Sequence, residues 1–408
     1  MRLPLINIII VSVLTLLIDL YILSDVAKAS SRRRRTRNIW IYIATCIPCW
    51  ALLIIAICLP KREVDQNINP VMWLLFTYLS IFASKVIYTI CSLIGRLINI
   101  GTHRLVNYGS MLGLPLAVLV FIVMWWGVAV TRHEIKVNEE TVVSQRLPVH
   151  FDNYRIVQIS DLHTGTWGED TAFVSKLVES VNGLKADAIL FTGDIVNRQT
   201  SELQPFLTVL SRLKATDGIY SVLGNHDYGD YMDWPNPRQR DTNNALLAAW
   251  QTQMGWKLLN NEHTYLRRDN DSIVLIGVEN WGEPPFGQYG DLKKAYPSGA
   301  GKKGLYDGNF KLLMTHNPEH WSREVRKESN IDLTLSGHTH AMQMQLNLFG
   351  HKFSPAALRY DYWGGMYDDV SKDGTPMHLY VNIGAGEVAI PMRIGATPEI
   401  TVFTLKRK

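Results

Sequence analysis

Arg155-Ile156-Val157-Gln158-Ile159-Ser160-Asp161-Leu162-His163 reads as a short apolar strand that ends in a carboxylate and an imidazole. Side chains two apart on an extended chain share a face, so Asp161 and His163 look into one space where the extended backbone persists. A metal can be held this way from the end of a strand. The same event recurs downstream. Residues 188–191 form a second apolar run leading to Gly193-Asp194, and residues 219–223 a third leading to Gly224-Asn225-His226-Asp227. The spacings, 33 residues from Asp161 to Asp194 and 31 from Asp194 to Asn225, suit one strand-helix-strand unit each. In such sheets the carboxyl ends of parallel strands gather on one side, where ligands bind. Two later strands add Thr315-His316-Asn317 and Gly337-His338-Thr339-His340, and Gly193, Gly224 and Gly337 permit the tight turns that bring backbone close to a ligand.

One edge would therefore collect Asp161, Asp194 and Asn225 with His163, His316, His338 and His340. Any one of these clusters alone is a turn or a core histidine as readily as a ligand; their joint order carries the reading. An oxygen and imidazole set of this size suits divalent first-row metals and is too large for one ion. Two ions about 3.5–4 Å apart clamp a phosphoryl group and bring a bridging water toward neutral pKa, which supplies the nucleophile. No Ser or Cys nucleophile is then needed. All four cysteines (Cys46, Cys49, Cys58, Cys91) lie before residue 100.

Composition separates the chain into two parts. Up to residue 130 there are 12 Lys and Arg against 4 Asp and Glu, so the basic balance of a chain with net charge +4 belongs to its apolar part. The remainder is mildly acidic, which argues against nucleic acid as a partner. Residues 3–23, 39–59, 71–94 and 111–130 approach or reach the roughly 20 apolar residues needed to cross a bilayer. The arginine cluster Arg32-Arg33-Arg34-Arg35 with Arg37 should stay cytoplasmic. Counting spans from there predicts a multi-pass membrane protein with everything from Thr131 onward outside the cytoplasm. A cleaved signal peptide would carry its positive charge ahead of the apolar run, not after it. Asp19 and Lys85 fall at similar depths in this topology, so they either pair or each snorkel toward the inner interface.

The set Asp161-Leu162-His163, Gly193-Asp194, Gly224-Asn225-His226-Asp227, His316 and Gly337-His338-Thr339-His340 resembles the signature of the calcineurin-like metallophosphoesterases. The resemblance implies a four-layered α/β/β/α sandwich over residues 153–408; the apolar spans set a four-helix transmembrane module (1–130), a departure from branch members with a single anchor, and a juxtamembrane strand or linker (131–152) ahead of it. It also implies a hydrolase with two divalent ions (Mn, Fe or Zn). Asp161, His163 and His340 would hold one metal, Asn225, His316 and His338 the other, with Asp194 bridging. His226 is similar to the histidine that contacts the phosphate and protonates the leaving oxygen, and Asp227 would orient it. Within the superfamily the chain looks like the membrane-associated bacterial branch related to UDP-2,3-diacylglucosamine-type phosphodiesterases, but Ala341-Met342-Gln343 stands where two glycines and a Gln are commoner.

These observations predict a membrane-anchored phosphoesterase that hydrolyses a phosphomonoester or phosphodiester, lipid-linked or close to the membrane, by attack of a metal-bridging hydroxide. Membrane lipids are its expected partners. The alternative is an inactive metal-binding docking domain on a membrane sensor. The pattern further predicts helices over 170–182, 201–213 and 242–254, strands at 342–346, 379–383 and 400–405, and long loops whose Tyr228, Tyr231, Trp234, Trp281, Phe286, Tyr360, Tyr362 and Trp363 are candidates for contact with acyl chains.

Overall fold

The computed structural model describes residues 5–59, 62–64, 66–102, 106–284, 287–297 and 309–408; Phe286 lies outside them. The chain divides into two compact units, one built on residues 1–62 and 68–130, the other on 131–388 and 393–408.

The first unit consists of α1 (Leu5–Ala29), α2 (Arg35–Cys58), α3 (Asn69–Thr102) and α4 (Tyr108–Ala129). All four are long and apolar enough to cross a membrane. Many of their large apolar side chains remain exposed within the unit, as expected of a surface solvated by lipid. Helices α3 and α4 approach through small residues: a Cβ on Gly109 would collide with the Cys91 carbonyl oxygen and the Gly95 backbone. The pair forms, with Lys85 Nζ 2.8 Å from Asp19 Oδ1. Tyr42 Oη and Trp50 Nε1 also donate to that carboxylate, both at 2.9 Å. A second cluster was not anticipated. Asp25 accepts from Tyr88 (2.7 Å), Ser92 (3.0 Å) and Ser110 (2.7 Å) and pairs with Arg96. Away from water a carboxylate needs such donors, and both acidic side chains of α1 obtain them from neighbouring helices.

The second unit holds two six-stranded sheets. Its first strands are β1 (Lys136–Ser144), β2 (Arg155–Ile159), β3 (Ala188–Phe191), β4 (Ile219–Ser221) and β5 (Trp256–Leu258). The others are β6 (Glu262–Arg268), β7 (Asp271–Val278), β8 (Lys311–Thr315), β9 (Leu333–Ser336), the small pair β10 (Leu346–Leu348) and β11 (His351–Phe353), β12 (Gly365–Val370), β13 (Pro376–Val381) and β14 (Glu399–Arg407). The sheet orders are β1-β14-β2-β3-β4-β5 and β12-β13-β9-β8-β7-β6. Strands β2 to β5 are mutually parallel, as are β7, β8, β9 and β13.

Alternation along the strands builds the layers. Val157 and Ile159 of β2 face a core shared with α5 (Ala172–Gly183), which presents Phe173, Val174, Leu177, Val178 and Val181. Ile156 points the other way, into a core that it shares with Leu312 and Met314 of β8 and Phe403 of β14. On β7, Ile273 and Leu275 enter that inter-sheet core, while Val274, Ile276 and Val278 pack outward against Leu292, Trp321 and Val325. Two sheets back to back with helical segments outside each make the four-layered α/β/β/α sandwich.

Three local differences from expectation have physical causes. Residues 136–144, expected as a juxtamembrane strand or linker with no partner assigned, form β1, paired parallel to β14 in register Lys136↔Glu399 to Ser144↔Arg407. The partner strand lies more than 250 residues away, so no local signal announces the pairing. Residues 200–206 form a 3-10 segment before the single turn α6 (Leu207–Leu210), because Pro205 has no N–H to donate. The helix expected over 242–254 starts earlier, as α7 (Pro237–Gln253): Asn236 accepts from the Gln239 N–H at 3.0 Å and Pro237 occupies the first turn.

Candidate metal centre

The carboxyl ends of β2, β3, β8 and β9, together with the loop after β4, bring the sequence-predicted residues together. Asp161, His163 and His340 form one group, and Asp194, His316 and His338 another; within each, one ligand atom per residue lies within 4.8 Å of the others. Backbone geometry forces these side chains inward. Asp161, His163, Asp194, His338 and His340 all have positive φ, a conformation that costs energy for residues with a Cβ and that clusters at functional sites. At Gly193 (φ +99°) a Cβ would lie 2.8 Å from His316 Nδ1, and at Gly337 it would collide with the Asp161 carboxylate.

Short contacts run within each group and between the two. His163 Nε2 and His340 Nε2 are 3.0 Å apart, and His316 Nε2 and His338 Nδ1 3.2 Å apart. Asp194 Oδ2 stands 3.1 Å from His316 Nε2 and 3.6 Å from His163 Nε2, so it touches a member of each group. Asp161 Oδ1 is 3.2 Å from His340 Nε2, and the Asp161 carboxylate accepts the His338 N–H at 3.1 Å. The His316 Nδ1–H donates to the Thr192 carbonyl oxygen at 2.9 Å, which turns Nε2 toward Asp194.

The donor set fits divalent cations. Two nitrogens bound to one ion at about 2.0–2.1 Å stand roughly 3.0–3.4 Å apart, which both histidine pairs satisfy. Lone pairs at such separations repel unless a proton or a cation lies between them. Two buried polar atoms, His163 Nδ1 and Asn225 Oδ1, have no hydrogen-bond partner among the described residues, and the Asn225 orphan is of the kind a cation would satisfy. Electrostatics point the same way. Burial pushes His163 down, and burial with the neighbouring His316 brings His338 down to about 3, so both are held as the neutral imidazole that ligates metals. Burial also opposes charge on His316, but Asp194 and Asp161 outweigh it and raise His316 to about 9. Those carboxylates demand positive charge nearby.

Among the described residues, the hydrogen bonds of the Asp227 carboxylate go to backbone and not to the His226 ring. The buried carboxylate accepts the backbone N–H groups of Asp194 (2.8 Å), Ile195 (3.0 Å), Val196 (3.2 Å) and Gly224 (2.9 Å), pinning the loop after β3 to the loop after β4. Burial and the nearby Asp194 push it up to about 7, against these donors. The His226 ring is fixed instead by Asn197, whose carbonyl oxygen lies 2.6 Å from Nδ1, and by Tyr231, whose ring centroid lies 4.5 Å away. Tyr231 Oη also accepts from Asn225 Nδ2 at 2.8 Å. Sequence reasoning did not assign Asn197, and nothing local marks it. Among the loop aromatics, Tyr231 and Tyr360 adjoin the histidines, Tyr360 Oη at 3.3 Å from His338 Nε2. Tyr228 stacks on Tyr289, Trp281 on His320, and Tyr362 packs edge-on against Trp321, so these three serve the interior. His226 and His338 are half-buried where most of the set is buried, which leaves them the accessible members.

An α/β/β/α sandwich whose strand ends assemble two adjoining Asp-His donor groups defines a metallohydrolase. Residues 154–342 match the family described as calcineurin-like phosphoesterase, and residues 1–132 the family described as probable calcineurin-like phosphoesterase, transmembrane domain. The chain is 32% identical over 281 residues to the metallophosphoesterase YkuE of Bacillus subtilis (strain 168), covering 67% of this chain and 86% of that protein. It is 30% identical over 290 residues to a bovine (Bos taurus) transmembrane protein with metallophosphoesterase domain, covering 68% of this chain and 57% of that one. It is 28% identical over 299 residues to a metallophosphoesterase of Helicobacter pylori (strain ATCC 700392 / 26695), covering 73% and 70%. The chain belongs to the calcineurin-like phosphoesterase family and is a metal-dependent phosphoester hydrolase with a four-helix transmembrane region.

Proposed function

We propose that the protein hydrolyses a phosphate ester carried by, or held close to, a membrane lipid, using two divalent cations. The observation that carries this reading is the contact of Asp194 with both donor groups. Asp161, His163 and His340 would hold one cation, and Asn225, His316 and His338 the other, with Asp194 shared between them. Such cations, when bound, polarise phosphoryl oxygens and make water a competent nucleophile near neutral pH.

The chain's own groups do the rest. In its protonated form His226 donates its Nδ1–H to the Asn197 carbonyl and can hand the Nε2 proton to the departing ester oxygen, which leaves the ring neutral with Nδ1–H still bound. Asn197 and Tyr231 keep the ring from turning, so the proton is delivered along one direction. Asn225, fixed through its amide nitrogen by Tyr231, presents its oxygen to the second group without rotational freedom. Asp227 holds the two loops in register and contributes rigidity rather than a proton.

The four candidate spans support a membrane-proximal substrate, since a site tethered at residue 130 samples a thin shell beside the bilayer. The arginine cluster between α1 and α2 supports a cytoplasmic placement for that loop and hence an external catalytic unit. The test is hydrolysis of bis-p-nitrophenyl phosphate by the purified full chain after chelation and reloading with Mn, Fe or Zn, alongside Asp194→Asn and His226→Ala. Metal-restored turnover in the wild type and its loss in both variants is expected. No turnover with any divalent ion would favour the docking reading instead.

A further inference from the structure

Directly after the ligand His340, the chain builds a small hairpin with one unpartnered face. Strands β10 and β11 pair antiparallel in register Leu346↔Phe353, Asn347↔Lys352 and Leu348↔His351. Alternation puts Leu346, Leu348 and Phe353 on one face with His351, and Asn347 with Lys352 on the other. Every one of these residues is exposed, so neither face is covered by the other described residues of the unit. A two-stranded hairpin in water has little to stabilise it when no layer packs on it. The turn adds a second observation. Phe349 (φ +53°) and Gly350 (φ +82°) are both left-handed, as in a tight two-residue hairpin turn where Asn-Gly is the favoured pair. A phenylalanine is thus held in a backbone conformation that it resists, with its ring 100% exposed at the tip; Leu358, just past the hairpin, is 92% exposed.

The base is firmly rooted. Ser354 Oγ donates to the Ala341 carbonyl oxygen at 2.7 Å, Gln345 N–H to Ile394 at 2.8 Å, and Ile394 N–H to Gln343 at 2.8 Å. Ala341 is buried next to His340, so the hairpin and the donor loop form one stretch. Lys352 and Arg359 are exposed close to the apolar residues in sequence.

We infer that the β10–β11 hairpin inserts Phe349 and its flanking leucines into the interface of an anionic phospholipid bilayer, steadying the metal site against a membrane-borne ester. The chemistry matches this occupant. Apolar side chains at a projecting tip enter the acyl boundary while Lys352 and Arg359 meet anionic headgroups, as in other interfacial anchors. The same polypeptide carries four candidate spans, so a bilayer is always within reach. The purpose assigned to the contact rests on the lipid-ester reading above, but the contact itself does not.

The test places p-benzoylphenylalanine at position 349 of the full chain reconstituted in phosphatidylglycerol/phosphatidylethanolamine liposomes, with the same residue at position 269, in the exposed β6–β7 turn, as control. After irradiation, a lipid-mass adduct at 349 and none at 269 is expected. A crosslinked dimer without lipid adduct at 349 would make a second copy the occupant and overturn the inference, as would the absence of any adduct. In parallel, Phe349→Asp should keep its turnover of soluble bis-p-nitrophenyl phosphate and lose turnover of a vesicle-borne phosphate ester. A lipid adduct without turnover of the vesicle-borne ester would sink the lipid-ester reading and leave the hairpin contact standing.

Discussion

Replacing Asp227 by Asn tests what this carboxylate does. Its Oδ2 accepts the N–H groups of Asp194 and Gly224, and its Oδ1 those of Ile195 and Val196. An amide of the same shape keeps one oxygen and so satisfies two of the four; its NH2 then points at the other two donors. Each buried donor left without an acceptor costs about 1–3 kcal/mol, so Asp227→Asn should destabilise the unit by roughly 2–6 kcal/mol. The unit can avoid part of this by shifting the loop after β3, but that loop carries Asp194. The expected result is therefore a paired loss: a lower unfolding midpoint for the purified full chain in detergent, and fewer divalent ions retained on gel filtration. His226→Gln serves as the contrast, because it leaves those four backbone bonds untouched. Were Asp227 instead an orienting partner of His226, the variant would keep wild-type stability and metal content and show only slower turnover. That outcome would refute the loop-pinning argument.

Three further outcomes follow from the geometry. His226→Gln should retain both ions and lose about 10²–10⁴ in kcat, the loss growing as the leaving alcohol becomes more basic, which a series of aryl and alkyl phosphodiesters measures. Asp19→Asn or Lys85→Met alone, each stranding one partner of a buried pair, should cost the helical unit about 3–5 kcal/mol, and the double variant should recover part of it in unfolding measurements in detergent. Glu387 is buried with Arg132 Nη2 3.3 Å from its carboxylate, and burial, only partly offset by Arg132 and Arg393, pushes it up from 4.5 to about 7. A raised acid contributes stability that is complete below the unfolded value and lost as pH rises to the folded one. Wild type should therefore lose stability relative to Glu387→Gln between about pH 4.5 and 7, and parallel melting curves across that window would contradict the assignment.

The chemistry of the centre was legible because strand ends and spacing are local properties. Asp161, His163, Asp194, Asn225, His316, His338 and His340 each follow an apolar run, and parallel strands deliver such positions to one edge of their own sheet; that the two edges meet was left to the packing of the sheets. The four spans were legible for a similar reason, since a bilayer sets a length that one stretch must meet by itself. The start of α7 was also written locally, in Asn236-Pro237, and the reading of a loop there overlooked a capping pattern.

What only the folded chain decided are the relations between distant segments. The role of Asp227 turns on four backbone N–H groups in two separate loops, and side-chain identity cannot reveal which amides will lack an acceptor. The Asn197 carbonyl that fixes His226 is a backbone atom, common to every residue, and gains meaning by position alone. Strand β1 owes its existence to β14, and the Asp25 cluster to side chains on α3 and α4. Sequence determines the supply of donors, acceptors and apolar faces along the chain; which of them meet depends on long-range packing that brings segments together at the cost of chain entropy.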